Sequence, residues 1–178
     1  MRFAVFLRAV NVGGTTPIKM AALRMAMEKE GVPTVTYQAS GNLLMEALGE
    51  DAVKIPLERV LRRMAGRDVV FIVRSISELQ KMMAAEPFPG PGTEGTKALV
   101  TFTEVAKDIA SRLPLSSPRG DLTIVAASGR ELFSLCCKSD EKHALPSDFI
   151  EELVGRRSTT RYWDTVLGLL EKEREWRL

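Results

Sequence analysis

Few residues of this chain have the type and spacing that chemistry needs. Asn11, Gly13, Gly14 and Thr16 follow one apolar run, and Ser40, Gly41 and Asn42 lie between two others. Glycines admit a ligand close to the backbone, while amides and hydroxyls both donate and accept hydrogen bonds. Thr16 followed by Pro17 reads as the capped start of a helix, whose N–H groups and partial positive charge favour phosphate or carboxylate. Arg8 adds a cation just upstream. The chemistry that suits this set is anion binding, without a nucleotide fingerprint: Val10 to Thr16 contains neither Gly-x-Gly-x-x-Gly nor Gly-Lys-Ser/Thr.

Nucleophilic and metal chemistry are poorly served, and no catalytic residue is assigned. Ser40 fails the Gly-x-Ser-x-Gly pattern because Gln38 stands in the first position. His143 is the single histidine, with no second His or Cys at coordinating spacing and no evident Ser or Cys partner, so no metal and no cofactor are expected. Cys136 and Cys137 are adjacent in a strand-like run, so their side chains point to opposite faces and do not suit a bond to each other.

The elements that position these residues follow from periodicity. Residues 3–10 read as a buried strand ending at the Gly13-Gly14 turn, and the helix opened by Thr16-Pro17 carries Met20, Leu23 and Met27 on one face as far as Gly31. Thr34 to Gln38 and Leu43 to Glu46 form a hairpin through Ala39-Ser40-Gly41-Asn42. A helix from near Pro56 to Gly66, a strand over Val69–Val73 and a helix capped by Ser75-x-x-Glu78 complete the half. In this β-α-β-β-α-β order the first two strands run parallel and the third antiparallel to both. The end of strand one and the hairpin tip then share one end of the sheet, which gathers Arg8, Asn11, Gly13, Gly14, Thr16, Ser40, Gly41 and Asn42.

Pro87 to Gly95 is rich in proline and glycine and reads as a linker. Beyond it come a strand over Lys97–Phe102, a helix over Thr103–Leu113 and a hairpin of Leu122–Ala126 with Glu131–Cys137. A helix capped by Ser147 follows, then a terminal helix opening near Thr159 or Thr160. Both hairpins turn through Ala-Ser-Gly, which suggests a duplicated unit. The expected class is α+β: two similar lobes, each an antiparallel, ferredoxin-like (split β-α-β) sheet with helices on one face, plus a C-terminal helix. The expected division is 1–86, a linker over 87–95, 96–155, and a terminal helix and tail over 156–178.

Composition narrows the partners. Of 178 residues, 45% are hydrophobic and 27% charged, as in an ordinary globular protein, and the net charge of +2 implies no dedicated nucleic-acid face. The cluster Arg59, Arg62, Arg63 and Arg67 falls on a helix beside Glu58 and Asp68 and reads as a solvated face. No apolar stretch approaches membrane-spanning length, and the apolar start is interrupted by Arg8, so the cytoplasm is the expected compartment, with no membrane partner.

Phe6-Leu7-Arg8-Ala9-Val10-Asn11-Val12-Gly13-Gly14, Tyr37 to Asn42, and Thr159-Thr160-Arg161-Tyr162-Trp163-Asp164-Thr165-Val166-Leu167 together resemble the bacterial family catalogued as domain of unknown function 1697. That family typically reads Leu-Leu-Arg-Gly-Ile-Asn-Val-Gly-Gly, Tyr-Ile-Gln-Ser-Gly-Asn and Thr-Thr-Arg-Asn-Trp-Asn-Thr-Val-Leu at these blocks. The resemblance implies a two-lobed α+β fold and no established activity. Departures include Ala9-Val10 for Gly-Ile, and Gln38-Ala39 for Ile-Gln, which sends the glutamine to the other face of the strand. The resemblance adds Arg161 to the candidate site, as a guanidinium at the start of the terminal helix. Three functions stay open: a binding protein for a small anionic or phosphate-containing ligand at the end of the first sheet, a structural or oligomerisation module, and an enzyme of undetermined reaction. The oligomeric state is not set by the sequence.

Overall fold

A computed structural model describes residues 1–11, 17–89, 95–137 and 147–176. The chain divides into two compact units, Met1–Gln80 with Gly168–Leu178, and Lys81–Leu167. No helix among the described residues is long and apolar enough to cross a membrane.

The first unit runs β1 (Arg2–Leu7), α1 (Met20–Lys29), β2 (Thr34–Tyr37), β3 (Asn42–Glu46), α2 (Asp51–Ala65) and β4 (Phe71–Ser75), followed by α3 (Ile76–Ala84), within which the unit boundary falls. Its sheet has the order β2-β3-β1-β4 with every neighbouring pair antiparallel, so β1 and β2 share a direction. Alternation sends Phe3, Val5 and Leu7 of β1 with Leu43 and Met45 of β3 to one face. There they bury against Leu23 and Met27 of α1 and Val53, Leu57, Val60 and Leu61 of α2. Each such side chain contributes about 1.5–3 kcal/mol by leaving water. Arg2 points to the opposite face, where the second half of the terminal helix, α5 (Trp163–Trp176), supplies partners. Arg2 donates to Glu173 at 3.1 Å and lies 5.0 Å from the centre of the Trp176 ring. On the same helix Gly168 meets the Tyr37 hydroxyl so closely that a Cβ there would lie 2.0 Å from it.

Several boundaries follow the expected signals. Ser75 and Glu78 form a reciprocal capping box: the Ser75 N–H donates to the Glu78 carboxylate at 2.7 Å, and the Glu78 N–H to Ser75 Oγ at 3.1 Å. Gly66 ends α2 in the left-handed conformation, at φ 67°. Others move. α1 starts at Met20 rather than at Pro17, because Lys19 is held extended (φ −69°, ψ 110°). α2 starts at Asp51 and carries Pro56 inside it. Its buried stripe already begins at Val53, and that burial, with Asp51 at the positive helix end, outweighs the N–H that proline lacks.

The second unit contains β5 (Thr96–Thr103), β6 (Leu115–Ser116), β7 (Leu122–Ser128), β8 (Glu131–Cys137), α4 (Ser147–Val154) and β9 (Ser158–Tyr162) in a sheet of order β6-β7-β8-β5-β9. Leu99, Ile109, Leu122, Ile124, Leu132, Ile150 and Val154 form its core. The helix expected over Thr103–Leu113 is absent except for one 3-10 turn at Ala110–Arg112. The Thr103 hydroxyl lies 2.7 Å from the Val105 carbonyl and 2.9 Å from that of Arg130, which turns the chain away from helical geometry. The terminal helix also begins later than expected, since Thr159, Thr160 and Arg161 belong to β9. Thr160 is paired with Thr101, with their hydroxyls 2.8 Å apart, as β-branched residues favour.

With β6 set aside, β7-β8-β5-β9 repeats the order β2-β3-β1-β4, all antiparallel, with strands in the same chain roles. The likeness reaches single atoms. The Leu7 N–H donates to the Gly41 carbonyl and the Thr103 N–H to that of Arg130, both at 2.8 Å. Arg74 is the fourth residue of β4 and Arg161 the fourth of β9, and each donates through Nη1 to the carbonyl before it, on Val73 and Thr160, at 2.8 Å. Ladder alternation aims both carbonyls away from the central strand, so each arginine occupies an acceptor on an outer edge.

Candidate functional site

The site proposed from sequence is a corner of the first unit, made by the end of β1 and the turn between β2 and β3. Asn11 joins them. Its Nδ2 donates to the Ala39 carbonyl and to the Ile18 carbonyl, each at 2.8 Å, and its Oδ1 accepts the Ile18 N–H at 2.9 Å. The side chain thus pairs with Ile18 as a neighbouring strand would, just before the extended Lys19, and α1 begins only at Met20. Ala9 and Asn11 both sit in the left-handed region, at φ 50° and 56°. Asparagine tolerates that conformation; alanine pays for it with strain, and the related family has glycine there.

Gly41 has φ 80°, and a Cβ built on it would lie 2.8 Å from Leu7 Cβ. Its missing side chain therefore lets the turn pack against Leu7 of β1. Asn42 is fully buried and donates from Nδ2 to the Tyr37 carbonyl and to Ser40 Oγ, each at 3.2 Å, closing the turn from inside. Asn11, Gly41 and Asn42 thus all take part in holding the corner together. Arg8 follows β1, tied by its N–H to the Val70 carbonyl at 2.8 Å, and exposed Lys19 stands at the N-cap position of α1 without a side-chain capping bond. Gly13, Gly14 and Thr16 lie outside the described residues.

The two loops themselves are one-sided in charge. No carboxylate occurs in residues 1–27 or 31–45, while Arg8 and Lys19 flank the loop between β1 and α1. The corresponding corner of the second unit differs. There Glu104 follows β5 and is ion-paired with Arg157, and Glu131 follows the hairpin turn.

Arg161 belongs to the second unit, on a strand rather than a helix N-terminus. Its Nη1 donates to Thr159 Oγ1 at 2.7 Å as well as to the Thr160 carbonyl, and burial pushes its guanidinium down to about 10, so it stays charged at neutral pH. Two features escaped the sequence reading: Met20 as the true start of α1, with Lys19 extended before it, and Arg74 as the partner in kind of Arg161. The signal for Arg74 was an arginine set against an apolar strand.

Among the described residues no three His, Cys, Asp or Glu side chains group to hold a metal ion, and His143 lies outside them. Cys136 and Cys137 are free thiols; burial pushes Cys136 up, away from the reactive thiolate, and Cys137 is exposed.

No curated protein matches the sequence. Among solved structures, the chain is similar to the conserved bacterial protein SP0830 from Streptococcus pneumoniae, at 19% identity and a TM-score of 0.69, covering 96% of this chain and 97% of that one. A likeness at that identity concerns the fold. The model of the family described as "Protein of unknown function (DUF1697)" matches residues 1–133, a span that takes in both loops of the corner, and the chain belongs to that family.

Proposed function

We propose that the protein binds a small anionic ligand, bearing phosphate or carboxylate, at the corner formed by β1 and the β2–β3 turn. The observation that carries this reading is the Asn11 side chain, which ties the turn to the segment before α1 through contacts of 2.8 Å. It holds two carboxylate-free loops together beside Arg8 and Lys19. Both cations act on an anion without a competing acid in either loop, in contrast to the Glu104 corner of the second unit. The protein works in the cytoplasm in this reading, as two free thiols suit a reducing compartment.

Titration with inorganic phosphate, a nucleoside diphosphate and a short RNA, followed through backbone amide resonances, tests it. Shifts at Arg8, Ser40 and Gly41 that saturate and that weaken in Arg8→Ala and Lys19→Ala support the corner. Silence there with all three probes overturns it.

A further inference from the structure

The two edges of the first sheet are not alike. On β4 the outward carbonyl of Val73 is taken by Arg74. On β2 the Pro33 carbonyl accepts the Glu46 N–H, so alternation turns Val35 and Tyr37 toward β3 and aims the N–H and C=O of Thr34 and Thr36 outward. No hydrogen bond among the described residues reaches those four groups. Thr34-Val35-Thr36-Tyr37 has no charge, no proline and no bulge, the devices that ordinarily stop an edge from pairing. A groove of about 430 Å³ opens at the first half of this strand, lined by Thr34 and Val35, by Arg24 and Glu28 of α1 and by Trp176.

The duplicated fold supplies a precedent. The strand that corresponds to β2 is β7, and its outer edge pairs with an additional strand, β6, antiparallel and with Leu115 opposite Ile124. Among the described residues the first sheet has no counterpart of β6. We infer that the β2 edge receives a strand from a second copy of this chain, giving a two-fold dimer with one continuous sheet.

A two-fold axis through Val35 sets Thr34 opposite Thr36 of the other copy, twice. The four outward groups on each side then exchange four hydrogen bonds, and the two Val35 side chains meet on the face that carries Trp176. The α1 helices become antiparallel neighbours. Arg24 and Glu28, about half exposed and 3.7 Å apart within one helix, then each face the opposite charge on the other copy. This self-complementarity favours a second copy over an unrelated peptide.

Sedimentation equilibrium over micromolar to millimolar protein tests the dimer with four variants. Thr36→Pro deletes an outward donor and leaves the β2–β3 ladder untouched. Arg24→Glu and Glu28→Arg each set like charges against each other across the axis, and the double variant restores opposite charges. Each single substitution acts twice per dimer and is expected to weaken association at least about tenfold, with the double variant recovering most of the loss. Exchange of the Thr34 and Thr36 amides slows with concentration in the wild type, which serves as the reading should Thr36→Pro fail to fold. A concentration-independent monomer overturns the inference. So does a dimer indifferent to all four variants, or a monomer that protects these amides only when an extended peptide is added.

Discussion

Replacing Gly41 by alanine tests the corner at its tightest point, and the structure supplies its own control. Gly31 and Gly41 share φ 80°, yet a Cβ on Gly31 meets nothing within 4 Å, whereas on Gly41 it comes within 2.8 Å of Leu7 Cβ. Both substitutions force an L residue into the left-handed region, at about 1–2 kcal/mol, and recover about 0.4–1 kcal/mol from a stiffer unfolded chain. Gly31→Ala should therefore destabilise by about 0–1.6 kcal/mol. Gly41→Ala adds overpacking of about 1–3 kcal/mol, because Leu7 Cβ is fixed to a buried central strand and has no rotamer by which to retreat. Urea unfolding followed by circular dichroism, with the slope held equal between variants, gives both values. Leu7→Ala should not rescue Gly41→Ala, since the blocking atom survives that change. Equal losses for the two glycine variants would refute the argument, for they would mean that the turn does not press on β1.

Four further outcomes are expected. Ala9→Gly relieves a left-handed alanine at φ 50° and should stabilise by about 0.5–1 kcal/mol; a lower thermal midpoint would contradict the strain. Glu173→Ala leaves Arg2, whose side chain is 22% exposed, without its buried partner and should cost about 2 kcal/mol, with a change in Trp176 fluorescence as the guanidinium leaves the ring. Ser134 Oγ is buried with no hydrogen-bond partner among the described residues, so Ser134→Ala should raise stability by about 1 kcal/mol in chemical denaturation. Gly168→Ala should destabilise although helix propensity favours alanine by about 1 kcal/mol, because the new methyl strikes the Tyr37 hydroxyl; Tyr37→Phe in the same chain should return part of the loss.

Where side chains alternate cleanly the sequence was a sufficient guide. The β1 run, the hairpin around Ser40 and the Leu57-Val60-Leu61 stripe each specify one element and one face, and together they yield the strand order that brings Asn11 to the turn. What it concealed depends on partners distant in the chain. Thr16-Pro17 carries a sound helix-start signal, but Asn11 captures Ile18 and postpones α1 to Met20. Thr159-Thr160 was read as a cap when its β-branched pair finds a place beside β5. The polar side chains of the corner also proved harder to interpret than to locate. Asn11 and Asn42 look like ligand contacts in a list of residues, yet the structure shows their side chains hydrogen-bonded to the chain itself, Asn11 to Ile18 and Ala39 and Asn42 to Tyr37 and Ser40.

The division of α5 at Gly168 carries a lesson about the order of synthesis. The sheet made from residues 1–80 leaves the ribosome well before the residues that lie against Arg2 and Tyr37, with the 87 residues of Lys81–Leu167 intervening. At bacterial-like elongation rates of about 5–20 residues per second that interval is roughly 4–17 s. For those seconds a nascent first lobe holds Arg2 and Tyr37 without the helix segment that meets them, and a chain interrupted by a premature stop before Gly168 would never acquire it.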